Sequence, residues 1–319
     1  MRKNLKEVLP GLALIAAVIV ALFWANSPAA TVYESMIHQE WIKGIAIFLF
    51  FASIGIELRH EIQHGALRNA KNAIVPILAA IGGMAVPVII YSIFNFGKGT
   101  EAGWGIPMST DVAFALAVFA LVGSFMPKAI RTYVMTVAVV DDSLTILMIA
   151  IFYASSFHML SLVSLSGVII GLFLPKGEAL LPRLQPVVAY VALPVFALFS
   201  AGVNLSGITL DSFFASSISI GVLVAMIIGK PLGVLGTTFL VTKSGLGKLP
   251  DAVKWADLAP VGLLFGMCFT VALLMSDLSF GNQPLEHSTA NLAVFIGSTV
   301  AALLATIAIS FRKSAHVKR

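Results

Sequence analysis

Four ionisable residues stand where charge is expensive. Asp111 closes the stretch Gly103-Trp104-Gly105-Ile106-Pro107-Met108-Ser109-Thr110-Asp111. Asp141 and Asp142 are adjacent in Val139-Val140-Asp141-Asp142, and Lys230 lies in Ile228-Gly229-Lys230-Pro231, all within apolar runs. A charge at the centre of a bilayer costs ~2.5–3.5 kcal/mol on insertion scales, so ionisable residues at that depth usually mark ion pathways. The alternative is that they pair and only stabilise packing. Three acids against one lysine make such pairing incomplete. At least one acid must be protonated, hydrated or bound to a cation. Sodium is a hard cation that wants oxygen ligands, and Asp111, Asp142 and the Thr110 hydroxyl offer them. The same carboxylates bind protons. One site that holds either sodium or protons, but not both, has the logic of an exchanger.

Spacing separates the roles. Neighbouring residues on a helix point ~100° apart, given 3.6 residues per turn. Asp141 and Asp142 therefore cannot share one target: one can face a cation while the other meets a lysine on another helix. Pro107, four residues before Asp111, removes a backbone donor and clashes with the preceding turn, so the helix should break or kink there. Gly103 and Gly105 loosen the same turn. A break at membrane depth exposes free amides and carbonyls, which is tolerable only beside protein or a cavity. Asp111 suits the positive end of a helix, and Lys230 the negative end.

The elements that must position these residues are transmembrane helices. The chain of 319 residues is 59% hydrophobic and 11% charged, with a net charge of +5. An ordinary soluble domain is about 25% charged. The basic residues lie in short clusters between apolar runs, a pattern of membrane topology that argues against nucleic-acid binding. Ten segments approach the ~20 residues that cross a bilayer: 8–25, 41–58, 73–94, 105–123, 132–157, 159–175, 186–203, 213–240, 253–277 and 287–311. They lack the alternation of a barrel. With both termini in the cytoplasm, 17 of the 20 lysines and arginines fall inside, leaving Lys98 outside, Lys43 at an outer edge and Lys230 within a span. That is the positive-inside pattern, and it requires an even number of spans. The N-terminal run is read as a first span rather than a cleaved signal peptide, which has a similar basic head and apolar body. Cys268, the one cysteine, excludes an internal disulfide and a thiolate metal cluster. No loop is long enough for a soluble domain, so residues 1–319 are read as one transmembrane unit.

At these motifs the sequence resembles the NhaA family of sodium/proton antiporters, over most of its length. Ser109-Thr110-Asp111-Val112-Ala113-Phe114-Ala115-Leu116 is similar to the family's Thr-Asp motif on a broken helix. Val139-Val140-Asp141-Asp142 is similar to its paired aspartates, and Ile228-Gly229-Lys230-Pro231-Leu232-Gly233 to its lysine motif. Gly55-Ile56-Glu57-Leu58 and Ala79-Ala80-Ile81-Gly82-Gly83-Met84 match as well. The resemblance implies ion binding by Asp111 and Asp142 with Thr110 nearby, and pairing of Asp141 with Lys230. It implies electrogenic export of one sodium ion for two protons across the inner membrane, with no cofactor. Lithium as a second cargo and a homodimer stay open. It also implies inverted repeats with two crossing broken helices, the second around Gly262, Gly266 and Thr270. The family normally has twelve spans, so two are expected to be missing near Phe157 to Ser166. Cys268 and Leu144 stand where the family usually has glycine, which weakens the expectation of an unwound turn at Cys268. The segment before the seventh span, Leu180-Leu181-Pro182-Arg183-Leu184-Gln185, lacks the family's histidines, so pH control is expected to be blunted.

The six histidines (His38, His60, His64, His158, His287 and His316) lie in or beside loops. Most read as solvated. Glu57, His60, Glu61 and His64 cluster at a cytoplasmic mouth, where Glu57 and His60 are candidates for a pH response. A sodium-coupled symporter of the bile-acid transporter type is the main rival, since it shares the fold class and commonly has ten spans. An intramembrane aspartyl protease would also use two acids, but its Gly-x-Gly-Asp signature is absent and Lys230 would have no role. A channel is disfavoured by acids that bind ions rather than pass them.

Overall fold

A computed structural model describes residues 2–37, 39–68, 70–152, 159–205, 207–250 and 252–317. His38, His158, Lys318, Arg319 and the expected end of the fifth span at 153–157 lie outside the described residues. The elements are α1 (Arg2–Ala25), α2 (Ala30–Ile37), α3 (Glu40–Gln63), α4 (Ala70–Asn95), α5 (Val112–Val122), α6 (Lys128–Phe152), α7 (Met159–Phe173), α8 (Gly177–Val187), α9 (Leu193–Ser200), α10 (Leu210–Ala215), α11 (Ser217–Val224), α12 (Lys230–Lys243), α13 (Trp255–Gly262), α14 (Thr270–Phe280) and α15 (Pro284–Val317). The described residues contain no strand. The fold is an all-α polytopic membrane fold. Among the described residues, eight helical stretches are long and apolar enough to cross a membrane, and two shorter apolar helices, Leu9–Ala25 and Leu162–Phe173, stand where the sequence places two further crossings. The short helix α2 falls in a segment read from sequence as a loop, and α10 straddles the expected start of the eighth span at 213.

Small residues set the helix packing. In lipid, helices gain little from hydrophobicity and associate by close contact, which small side chains permit. α3 meets α7 across Gly55, Gly167 and Gly171, where added methyl groups would strike the partner's backbone. α4 meets α12 across Gly82, Gly83 and Gly233: a Cβ on Gly233 would fall on the Gly82 carbonyl, and one on Gly83 would strike the Val234 side chain. The first helix belongs to the packed body. Its Leu14, Val18 and Ala21 are buried, and a Cβ on Gly11 would strike Ala117 of α5. Large apolar side chains face outward, among them Phe23, Ile93, Phe173 and Phe311.

Among the described residues, four crossings are irregular, each at a proline or an unwound turn. Proline offers no backbone donor. Pro194 and Pro231 each stand two residues beyond a five-residue π turn, at 188–192 and 225–229. The wider turn is one way a helix absorbs a missing bond, and such turns are often found at functional sites. Lys230 is the first residue after the second of them. The other two irregular crossings are broken outright. Residues Glu101–Met108 form a 3-10 stretch containing Pro107, and Ser109 and Asp111 are extended before α5 begins. α13 passes through a 3-10 turn at Leu263–Gly266 into an extended Met267 before α14 begins. The second break therefore forms with Cys268 in place of a glycine.

α4, the first broken crossing and α6 make one triplet; the crossing of α11 and α12, the second broken crossing and α15 make another. Five crossings separate the start of one triplet from the start of the other. Successive crossings alternate in direction, so the triplets run oppositely, as inverted repeats do.

Candidate functional site

The two broken crossings meet at their unwound turns. The Asp111 amide donates to the Met267 carbonyl at 2.7 Å. The Thr110 hydroxyl donates to the Phe265 carbonyl at 3.1 Å, and the Ser109 hydroxyl lies 2.8 Å from Cys268 Sγ. Ser298 of α15 donates to the Cys268 carbonyl at 2.7 Å. Polar groups freed by one break are thus taken up by the other break and by α15, which is how irregular backbone survives at membrane depth.

Asp111 serves two helix starts. Its Oδ1 accepts from the Phe114 amide of α5 at 3.2 Å. Its Oδ2 accepts from the Thr270 hydroxyl at 3.2 Å and lies 3.4 Å from the Thr270 amide, at the start of α14. Negative charge is favoured at both places, because the first amides of a helix lack partners and its dipole is positive there.

Lys230 serves the opposite end. Its Nζ donates to the Met108 carbonyl, where the 3-10 stretch stops, and to both oxygens of Asp141 at 2.9 and 3.0 Å. Lys230 and Asp141 are each 1% exposed. With Asp141 turned to Lys230, its neighbour Asp142 faces elsewhere. Asp142 is 4% exposed, and its Oδ1 is buried without a hydrogen-bond partner. Unpartnered buried polar atoms are rare and call for a functional explanation.

Asp111 and Asp142 both line a cavity of about 440 Å³, which runs between α3, α5, α6 and α8 to Glu57, His60 and Glu61. Gln185 of α8 donates to Glu57 at 2.8 Å. Thr110 does not line this cavity, since its hydroxyl is turned to Phe265. A second polar cavity, of about 470 Å³, lies at the other end of α3 and is lined by Lys43, Asp277 and His287. Asp277 joins three elements there, 3.5 Å from Lys43 and 2.7 Å from His287. Lys43 and Glu57 are about 21 Å apart along α3 at 1.5 Å per residue, so the two cavities lie toward opposite ends of that helix.

Sequence reasoning overlooked several partners. Thr270 was placed on the second break but not against Asp111. Asp257 and Asp277, both inside the ninth crossing, were passed over; Asp257 pairs with Arg312 at 2.5 Å. An acid within an apolar run was the available signal for each.

The profile of the family described as Na+/H+ antiporter 1 matches residues 3–179 and 163–309. The chain belongs to this family. Curated members include the Na(+)/H(+) antiporter NhaA of Renibacterium salmoninarum, 35% identical over 98% of this chain and 88% of that protein. The Frankia casuarinae protein of the same name is 33% identical over 98% and 86%. That of Aliivibrio fischeri is 33% identical over 96% of each chain. The alignment with the Frankia family member has 382 positions against the 319 residues here, so that protein carries several dozen residues that this one lacks. The profile splits into two matches that meet at residues 163–179, beside the stretch expected to have lost two spans. Family membership leaves the bile-acid-type symporter and the aspartyl protease without support.

Proposed function

We propose that this chain exchanges sodium for protons across a membrane, with Asp111 and Asp142 as the shared site. One observation carries the reading. Among three buried acids at the crossing, Asp141 has a lysine, Asp111 has amides and a hydroxyl, and Asp142 has an oxygen with no partner at all on a cavity wall. Relatives named Na(+)/H(+) antiporter NhaA support the choice of cargo.

The chemistry is competition for oxygen. A sodium ion entering the cavity takes carboxylate oxygens of Asp111 and Asp142 and displaces their protons; Thr110, whose hydroxyl is turned to Phe265, joins only if it rotates toward Asp111. When the ion leaves, each acid takes a proton again. One sodium ion then replaces two protons, and the cycle moves net charge. Lys230 and Asp141 hold the broken helix in place throughout, and Lys230 keeps its proton. Both termini lie in the cytoplasm, the cavity ending at Glu57 opens there, and the protein sits in the inner membrane exporting sodium.

The test is purified protein in proteoliposomes carrying an internal pH dye. Addition of sodium should move protons in the opposite direction, at a rate that responds to membrane potential. Proton movement independent of sodium, or sodium movement driven by an organic solute, would overturn the reading.

A further inference from the structure

The mouth of the Asp111–Asp142 cavity carries a cluster that exchange does not require. In His60-Glu61-Ile62-Gln63-His64 the two histidines are four residues apart near the end of α3 and so share one face of the helix. Glu178, in the first turn of α8, reaches both. His60 Nδ1 is 3.3 Å from Glu178 Oε2, and His64 Nδ1 is 3.3 Å from Glu178 Oε1. One ligand atom from each of the three residues falls within a 4.8 Å span.

We propose that His60, His64 and Glu178 form a binding site for a divalent transition metal, zinc above all, which clamps α3 to α8 and slows exchange. The ligand set is the first argument. Two imidazoles and one carboxylate suit zinc, and three protein ligands leave a fourth position to water. Oxygen-seeking ions such as magnesium or calcium would not favour two imidazoles.

The second argument is distance. Charge-assisted N–H···O bonds are usually about 2.7–2.9 Å. The 3.3 Å separations here are long for that. Either one matches the ligand-to-ligand edge, about 3.3 Å, of a tetrahedron with bonds of about 2.0–2.1 Å; the two end on different Glu178 oxygens, so the carboxylate must turn to offer one oxygen to a metal held by both imidazoles. The side chains are partly exposed, at 48%, 57% and 33%. They can close the remaining gap by small rotations.

The consequence follows from position. His60 also lines the cavity, and the Glu57–Gln185 bond joins the same two helices one turn deeper. A bound metal would add a second, stronger link between two cavity walls. It would also place positive charge at the entrance used by sodium, opposing its approach. The brake rests on the exchange reading, whereas the binding site stands without it.

Zinc titration by calorimetry of detergent-purified protein, with any polyhistidine tag removed, tests the site separately from transport. One zinc per chain is expected. His64→Ala and Glu178→Gln should each weaken binding by about 100-fold or more, beyond the 10–100-fold typical of changes outside the ligand shell. His287→Ala, at the other cavity, should leave binding unchanged. Absence of saturable binding, or binding indifferent to both ligand variants, overturns the site. In proteoliposomes, zinc on the side of the mouth should slow sodium-dependent proton flux in the wild type, reversibly with chelator, and leave His64→Ala unaffected. Equal slowing in the variant, or bound zinc with unchanged flux, overturns the brake.

Discussion

At the scale of single residues, adjacent acids are sorted by what each one meets. Asp141 and Asp142 are neighbours in the chain, yet one is bound to Lys230 and the other has an unpartnered oxygen. Helical geometry requires the division, since adjacent side chains cannot face the same way. The pair is costly to break. Lys230→Ala would leave Asp141 buried without its cation, and removing one partner of such a pair costs ~3–5 kcal/mol. Thermal unfolding of the purified variant should show a clearly lowered midpoint. Replacing both residues by apolar ones of similar volume should recover most of that loss. Lys230→Arg keeps a permanent charge that does not cycle a proton. It should therefore still exchange and still move net charge, read as the response of sodium efflux to membrane potential. Electroneutral exchange by a stable Lys230→Arg protein would make Lys230 a proton carrier.

At the scale of elements, close contact and interrupted helices hold the site in register. Gly233 lies one turn beyond Lys230 on α12 and packs on the Gly82 carbonyl of α4. Gly233→Val would force α4 and α12 apart. Overpacking of this kind typically costs ~1–3 kcal/mol, and here it would also draw Lys230 from the Met108 carbonyl. A lowered unfolding midpoint together with reduced exchange is expected; unchanged values for both would show that this contact does not position the lysine. Both breaks were legible in the sequence. Pro107 with Gly103 and Gly105 marked the first in the residues themselves, whereas the second, around Gly262, Gly266 and Thr270, followed only from the family resemblance and against the weakening effect of Cys268. What each break bonds to was not legible. Thr270 lies 159 positions from Asp111 and Lys43 lies 234 from Asp277, and no local pattern encodes such pairings. Short α2 was hidden for a related reason, since eight residues carry too little periodicity to stand out from a loop, and the six residues of α10 were partly merged into the expected span that begins at 213.

At the scale of the whole molecule, the apolar segments were readable because lipid leaves few solutions, while the two opposed triplets followed from the family resemblance. Apolar length marked each crossing, and the placement of lysine and arginine suggested direction. The same rule makes a topological prediction. A cysteine placed at Lys98, in the loop after α4, should react with an impermeant maleimide only from outside the cell. One placed at Lys248, in the loop after α12, should react only from the cytoplasm. Native Cys268 is 1% exposed and should give almost no background. Labelling of both sites from one side would contradict the opposed triplets. The sequence was least informative about the cavity mouth. There Glu57, His60, His64, Glu178 and Gln185 come from two helices whose approach is set by packing elsewhere.

The central claim is that Asp111 and Asp142 are one site for two competing cargoes. Sodium-dependent proton flux in proteoliposomes tests it most directly, with wild type compared against Asp111→Asn and Asp142→Asn of equal content and orientation. An amide keeps an oxygen but loses both the charge that binds sodium and the site that carries a proton. Wild type should show sodium-driven proton flux that saturates, with sodium affinity falling as proton concentration rises. Each variant should lose that flux. Flux near the wild-type rate in either variant, or sodium affinity indifferent to pH in the wild type, would contradict the claim.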